Sequence, residues 1–324
     1  MIIALGLITA MFVIGYGAPR YLSVTVAPGL NPRLAITAWT ASVTLVVAAL
    51  IAAPVSMFTR PGRTAFGAAH ACVQRLRDDG TLPWVDASQV ALTAVLIGIA
   101  GYLAATVAWR LHVRRRSAAV HLGRVRALAR RRTAHGGIPV LWIDSEEPTC
   151  YSVGGRSPAI IASTSMEALP AEERAAVLDH ESAHVHGRHH VLIAVAEALA
   201  AAMPAVPLFR EAPGAARTMV EFAADEHSAR RHGAGVVGSA LLAVRERVLA
   251  PAPSRGGAPA TALAMAEDAV AARLCWLGTR PTRRQRLCAP ADYPLAVTFA
   301  FAPVVLSVAT MLTAAALVCL QLAG

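Results

Sequence analysis

The sequence predicts an α-helical membrane protein with an α+β domain inserted between its third and fourth transmembrane helices. Two observations support this fold class. First, 56% of the 324 residues are hydrophobic and only 15% are charged, an apolar share well above that of an ordinary soluble domain. Second, the apolar residues gather in four long stretches, and a more polar region of about 150 residues, enough for a core of its own, separates the last two.

The four apolar stretches are long enough, or nearly so, to cross a hydrocarbon core of about 30 Å, which takes about 20 helical residues. They occupy residues 2–16, 34–58, 90–109 and 295–322. The first has neither a basic start nor a small-residue cleavage site, so we expect a retained helix and not a cleaved signal peptide. The resulting organisation has four parts: three membrane helices within 1–112, a basic juxtamembrane segment at 113–132, a soluble domain at 133–290 and a fourth membrane helix within 291–324.

A fifth apolar stretch at 191–209 contains Glu197 and two prolines. A carboxylate inside a spanning segment is costly unless it has a partner or a function. We therefore favour a core or membrane-skirting helical hairpin of the soluble domain over a further span.

The net charge of +10 comes from arginine alone, because the chain contains no lysine. Arginines cluster at 110–132, directly after the third span, and at 280–287, before the fourth. The positive-inside rule then predicts a multi-pass protein of the cell membrane with a cytoplasmic central domain and extracytoplasmic termini, although the arginines at 60–77 fall on the outer side. The basic run lacks interleaved aromatic residues, so we expect contact with the lipid bilayer and no direct contact with nucleic acid.

The central domain begins with strand-like segments. Short apolar runs at 138–144 and 158–163, bounded by Gly, Pro and Ser, are typical of buried strands, and Cys150–Val153 between them suits an edge strand. A helix follows at 168–187, with Pro170 at a first helical position and acidic residues in the first turn.

The helix carries the sequence HESAH, an H-E-x-x-H motif. His180 and His184 are one turn apart on the same face, so two imidazoles can converge on one ion. Glu181 projects beside that face, where a carboxylate can take a proton from the attacking water. The motif predicts a zinc site with Glu181 as general base.

A catalytic zinc usually has three protein ligands, so we expect one more downstream. A second predicted helix offers Glu221 as that ligand, giving one Zn²⁺ per chain. Asp225, one turn later on the same face, can accept the free ring proton of a ligating histidine and fix its tautomer.

Other polar residues near the motif are assigned weaker roles or none. We expect His186, His189 and His190 to face water or the membrane interface. The edge strand Cys150, Tyr151, Ser152 and Val153 could pair with an extended peptide substrate through backbone hydrogen bonds. Tyr151 and His227 are candidates for stabilising the oxyanion.

The segments DHESAHVHGRHH and EFAADEHSA together resemble the BlaR/MecR-type membrane zinc metallopeptidases, across nearly the whole chain. This resemblance implies a zincin-like (gluzincin) domain between the third and fourth membrane helices, with His180, His184 and Glu221 as zinc ligands and Glu181 as the base. It also implies regulatory cleavage of a protein partner such as a BlaI-like transcriptional repressor.

The chain departs from these antibiotic sensors in one respect. They carry a C-terminal penicillin-binding domain acylated at the serine of an S-x-x-K motif, which a chain without lysine cannot contain. We therefore expect no direct β-lactam sensing. Two alternatives remain open: a quality-control or processing protease of the HtpX or CAAX type, and a non-enzymatic membrane scaffold with a zinc-stabilised domain.

Overall fold

A computed structural model describes residues 2–25, 32–58, 84–249 and 260–278. Within these ranges, three helices precede the sheet: α1 (Ile2–Thr25), α2 (Pro32–Phe58) and α3 (Trp84–Leu128). Among the described residues, two helices are long and apolar enough to cross a membrane: α2, with the candidate span Ala35–Ala53, and α3, with the candidate span Val90–Leu128. The fourth predicted span, at 295–322, lies outside the described residues.

The third predicted span and the basic segment after it form one continuous helix. α3 has 45 residues and is therefore about 67 Å long, roughly twice the thickness of a bilayer core. The boundary drawn at 112 from the sequence is thus not a structural break. Leu122 and Val125, near the end of α3, are buried against the sheet described next.

The sheet has four strands in the order β1-β2-β4-β3. The strands are β1 (Arg131–His135), β2 (Ile138–Ile143), β3 (Cys150–Val153) and β4 (Ala159–Ser163). β2 and β4 are parallel, whereas β1 and β3 run antiparallel to their neighbours at the two edges. Gly136 and Gly137 join β1 to β2 with φ of 54° and 81°, the positive values that a tight two-residue hairpin requires.

Each face of the sheet is covered by a different helix. Val140, Trp142 and Ile160 point to a core shared with the partly buried Val177 and Leu178, whereas Leu141 and Ile161 point to α3. Side chains alternate in this way because successive residues of a strand face opposite sides.

In the described residues after the sheet, a short 3₁₀ turn at Thr164–Ala168 is followed by five helices. They are α4 (Ala171–His186), α5 (His189–Ala202), α6 (Pro207–His232), α7 (Ala234–Leu249) and α8 (Ala260–Gly278). The apolar stretch at 191–209 is divided between α5 and the start of α6, so it forms the hairpin favoured from the sequence. The described residues are thus mostly helical with a small mixed sheet, as predicted.

The α5–α6 hairpin packs on the N-terminal helices. Ala196, Leu199 and Phe209 of the hairpin share one core with Trp39 of α2 and Leu103 of α3. Glu197 forms ion pairs with Arg114 of α3 and Arg217 of α6, which explains how a carboxylate is accommodated in this apolar stretch. The central region is therefore joined to the N-terminal helices by a continuous core.

Candidate metal centre

Helix α4 places the two motif histidines side by side. Pro170 precedes its first residue, and Glu172 and Glu173 in the first turn suit the helix dipole. The four-residue spacing brings the Nε2 atoms of His180 and His184 to 3.1 Å from each other. Both side chains are largely buried, so they are held in place by packing.

Helix α6 brings Glu221 to the same point. Its carboxylate oxygens lie 3.4 Å from His180 Nε2 and 3.5 Å from His184 Nε2. Donors bound to zinc at about 2.0–2.1 Å in a tetrahedral arrangement lie about 3.3–3.4 Å apart, close to the three separations found here. His180, His184 and Glu221 can therefore hold a metal ion.

Asp225 lies one turn after Glu221 and is fully buried. Its Oδ1 is 2.9 Å from His180 Nδ1, so the carboxylate can accept the proton of that ring nitrogen. In the neutral form of His180, this leaves Nε2 without a proton and directed at the metal group, the arrangement that a ligating histidine needs.

Arg273 of α8 is the main site residue that the sequence did not reveal. Its Nε and Nη2 donate to the two oxygens of Asp225 at 2.7 and 2.5 Å, and its Nη1 lies 3.2 Å from Glu221 Oε2. Trp276, one turn later, stacks on Phe222 beside Glu221 with ring centroids 5.4 Å apart. Helix α8 thus positions both carboxylates that Arg273 contacts.

His189 is the second residue whose position differs from the sequence expectation. It was predicted to face water or the membrane interface, but it is only 8% exposed and its Nδ1 lies 3.0 Å from His184 Nδ1. α4 ends at His186 and is capped by Gly187, and Arg188 then adopts a left-handed conformation (φ 49°). The chain turns back there, so that the first residue of α5 reaches α4. His189 therefore orients His184 as Asp225 orients His180.

Without a metal, burial and neighbouring charges shift the pKa values of the site residues strongly. Burial disfavours a charged His180, but hydrogen bonds to Asp225 and Glu221 outweigh it and raise the pKa of His180 to about 9. Burial and the neighbouring charge of His180 lower the pKa of His184 to about 3. Burial opposes the charged form of Glu221, yet contact with His180 and Arg273 holds its pKa at about 2.

These values predict that metal binding displaces a proton. Zinc requires neutral imidazoles, so His180 must lose its proton whereas His184 has none to lose. Since the raised pKa keeps His180 protonated below about pH 9, zinc affinity should increase about tenfold per pH unit through the neutral range and level off above that. Calorimetry in buffers of different ionisation enthalpy should record release of about one proton; an affinity independent of pH between about pH 7 and about pH 8.5 would contradict this.

Glu181 faces the free edge of the sheet. Burial, the largest effect, raises the pKa of the Glu181 carboxylate, and the neighbouring hydroxyl and backbone of Ser152 lower it in part. In an antiparallel pair, every second residue directs its backbone N–H and C=O groups to the neighbouring strand. Because Thr149 hydrogen-bonds Ser163 at the end of β4, the backbone groups of Cys150, Ser152 and Gly154 point away from β4. The predicted substrate strand thus presents its unpaired edge beside the predicted base.

A groove of about 410 Å³ runs between this strand edge and the metal group. Val237, Leu241 and Val244 of α7 form its apolar part. His190 closes one end, since its ring occupies the space that a Cβ at Gly154 would need. The groove therefore combines backbone hydrogen-bonding groups, apolar side chains and the titratable cluster, as expected of a ligand site.

Neither oxyanion candidate has its polar group at the metal group, although Tyr151 lines the groove. The Tyr151 hydroxyl binds His121 of α3 at 2.7 Å, and Tyr151 packs on the face of the sheet that α3 covers. His227 lines a separate cavity. Comparisons of the chain with protein-family models, curated proteins and solved structures find no match.

Proposed function

We propose that this chain is an integral-membrane zinc metalloendopeptidase whose domain at 133–290 hydrolyses peptide bonds of a protein substrate. The observation that carries the proposal is the convergence of His180, His184 and Glu221 beside Glu181 in one groove. Two imidazoles and one carboxylate form a ligand set suited to catalytic zinc, which keeps its fourth position for water or substrate.

Zinc held there would acidify water and polarise the scissile carbonyl. Glu181 accepts a proton from the attacking water as the new C–O bond forms, and donates it to the leaving amine when the C–N bond breaks. Burial raises the pKa of Glu181, which makes it a stronger base than an ordinary carboxylate.

The substrate is proposed to bind as an added strand along β3. The outward-facing backbone groups of Cys150 and Gly154 can pair with an extended peptide with little dependence on its sequence. The apolar side chains of α7 across the groove favour an apolar residue near the scissile bond.

A membrane location is supported by exposed apolar side chains. Among the described residues, all exposed large hydrophobic side chains except Leu242 lie on α1–α3. The charges of Arg33, at the start of α2, and Arg115, in the second half of α3, act on His189 and His190. These ends of α2 and α3 therefore lie on the side of the metal group, which by the positive-inside rule is the cytoplasmic side.

The resemblance to BlaR/MecR-type proteins favours regulatory cleavage of a partner such as a BlaI-like repressor. One observation favours the HtpX or CAAX type instead: the α5–α6 hairpin, which begins at the metal group, shares a core with the apolar N-terminal helices. That arrangement suits substrates at the membrane surface. Cleavage of a small repressor encoded beside this protein, compared with cleavage of membrane substrates, distinguishes the two.

Removal and return of the metal test the proposal as a whole. Detergent-purified protein should contain about one zinc per chain and cleave casein or a candidate repressor. A chelator should stop cleavage. Stoichiometric zinc should restore it, because the packing around His180 and His184 holds both imidazoles in place when the metal is absent. Protein without zinc would contradict the metal site; zinc-loaded protein that cleaves neither substrate would favour the scaffold.

A further inference from the structure

Arg273 binds the carboxylate of Asp225 through both of its oxygens. Nε donates to Oδ2 at 2.7 Å, and Nη2 donates to Oδ1 at 2.5 Å. Two parallel hydrogen bonds of this kind fix the plane of a carboxylate as well as its position, because rotation of either group breaks both bonds. The orientation of the Asp225 carboxylate is therefore set by Arg273.

The fixed carboxylate in turn orients His180. Oδ1, the oxygen that receives Nη2, also lies 2.9 Å from His180 Nδ1. Nη2 itself lies at nearly equal distances from the two ring nitrogens, 3.4 Å from Nδ1 and 3.5 Å from Nε2, so it favours neither. Asp225 thus distinguishes the two nitrogens and leaves Nε2 to the metal group, and Arg273 acts on His180 through Asp225.

Helix α8 presents Arg273 from a well-packed surface. Trp276 and Leu277, one turn further along, are buried, and the Trp276 ring stacks on Phe222 of α6 with the two planes 6° apart. The Arg273 side chain is itself largely buried. Since Asp225 is fully buried, its charge would be costly without such a partner.

The charge of Arg273 has a second effect, because a guanidinium repels a metal ion. Nη1 lies 3.2 Å from Glu221 Oε2, the same oxygen that is 3.4 Å from His180 Nε2. The guanidinium therefore contacts two carboxylates, those of Asp225 and Glu221, whose negative charges exceed its own positive charge. The repulsion is largely offset, so the orienting effect should dominate.

We propose that Arg273 is a positioning residue that sets the zinc affinity of the site by holding Asp225 against His180. The proposal rests on the metal site of the proposed function but not on peptide cleavage, since it concerns zinc affinity alone. It also means that the two motif helices, α4 and α6, do not form the site by themselves. A third helix, α8, supplies a residue 48 positions after Asp225 that the site requires.

Zinc affinity of the full chain in detergent, measured at one pH by competition with a chromophoric chelator, tests the proposal. Arg273→Gln should weaken zinc binding about tenfold, the effect of losing a group that orients a ligand. Arg273→Lys keeps the charge but lacks the planar fork, so its zinc affinity should lie between those of the wild type and Arg273→Gln. It also provides a second variant if Arg273→Gln does not fold.

Arg230→Gln is the matched control. It also removes an arginine from a pair with a buried carboxylate, because Arg230 Nη1 lies 3.0 Å from Oε1 of Glu226 on α6. Neither Arg230 nor Glu226 lines the groove or belongs to the metal group. This variant should bind zinc as the wild type does.

A double-mutant cycle with Asp225→Asn separates positioning from a general loosening of α8. If Arg273 acts through Asp225, Arg273→Gln should weaken zinc binding in the wild-type background and have much less effect in the Asp225→Asn background. Additive losses would show that Arg273 merely supports the packing of α8, and would overturn the proposal.

The remaining outcomes are equally decisive. Unchanged or tighter zinc binding in Arg273→Gln, wild-type affinity in Arg273→Lys where only that variant folds, or an equal loss in Arg230→Gln would overturn the role of Arg273 and leave the proposed function standing. A wild type that binds no zinc would instead contradict the metal site itself, and with it both proposals.

Discussion

Replacing Glu181 with glutamine is expected to abolish peptide cleavage and leave zinc binding intact. Glutamine has nearly the same shape as glutamate, but it cannot take up a proton. General-base catalysis contributes about 10²- to 10⁴-fold to rate, so kcat should decrease by that factor. Zinc content should stay near one per chain, because Glu181 is not one of the three residues of the metal group.

Glu172→Gln is the matched control for this variant. It makes the same chemical change in the first turn of the same helix, at an exposed position away from the groove. Both proteins should be assayed for kcat and for zinc by atomic absorption. A Glu181→Gln protein that cleaves at the wild-type rate would show that another group is the base, and one that loses its zinc would show that Glu181 supports the metal group itself.

The local part of the site could be predicted from sequence because it depends on helical spacing. His180 and His184 are four residues apart in a segment with clear helix-start signals, and Glu221 and Asp225 repeat that spacing on a second helix. Two short patterns were therefore sufficient to identify four side chains that the fold brings together.

Arg273 and His189 could not be predicted in this way. Arg273 is one of 30 arginines and lies 48 residues after Asp225, so only the packing of α8 on α6 distinguishes it from the others. His189 reaches His184 through the left-handed residue Arg188, which no helical periodicity predicts. Both contacts depend on tertiary packing and not on a local repeat.

The fold shows the same distinction. Strands β2 and β4 are apolar and were predicted, whereas β1 (Arg131–His135) is mostly exposed and has no alternation of apolar and polar residues. The Gly136–Gly137 pair was the one available signal for its hairpin. The extent of α3 was also missed, because its arginines suggested a boundary that the helical backbone does not have.

Replacing His184 with glutamine should remove the metal. Changing a residue that merely orients a zinc ligand costs about 10- to 100-fold in affinity, so loss of the ligand His184 itself should cost more than about 100-fold. His184→Gln protein should therefore contain little zinc after dialysis, and a competing chelator that leaves zinc on the wild type should remove it from this variant.

His186→Gln is the matched control. His186 lies two residues after His184 on α4, its Nδ1 contacts the Ser182 carbonyl at 2.8 Å, and it is not part of the metal group. If both variants keep zinc equally well, or both lose it, the assignment of His184 as a ligand is wrong, and the 3.1 Å approach of its Nε2 to His180 has another cause.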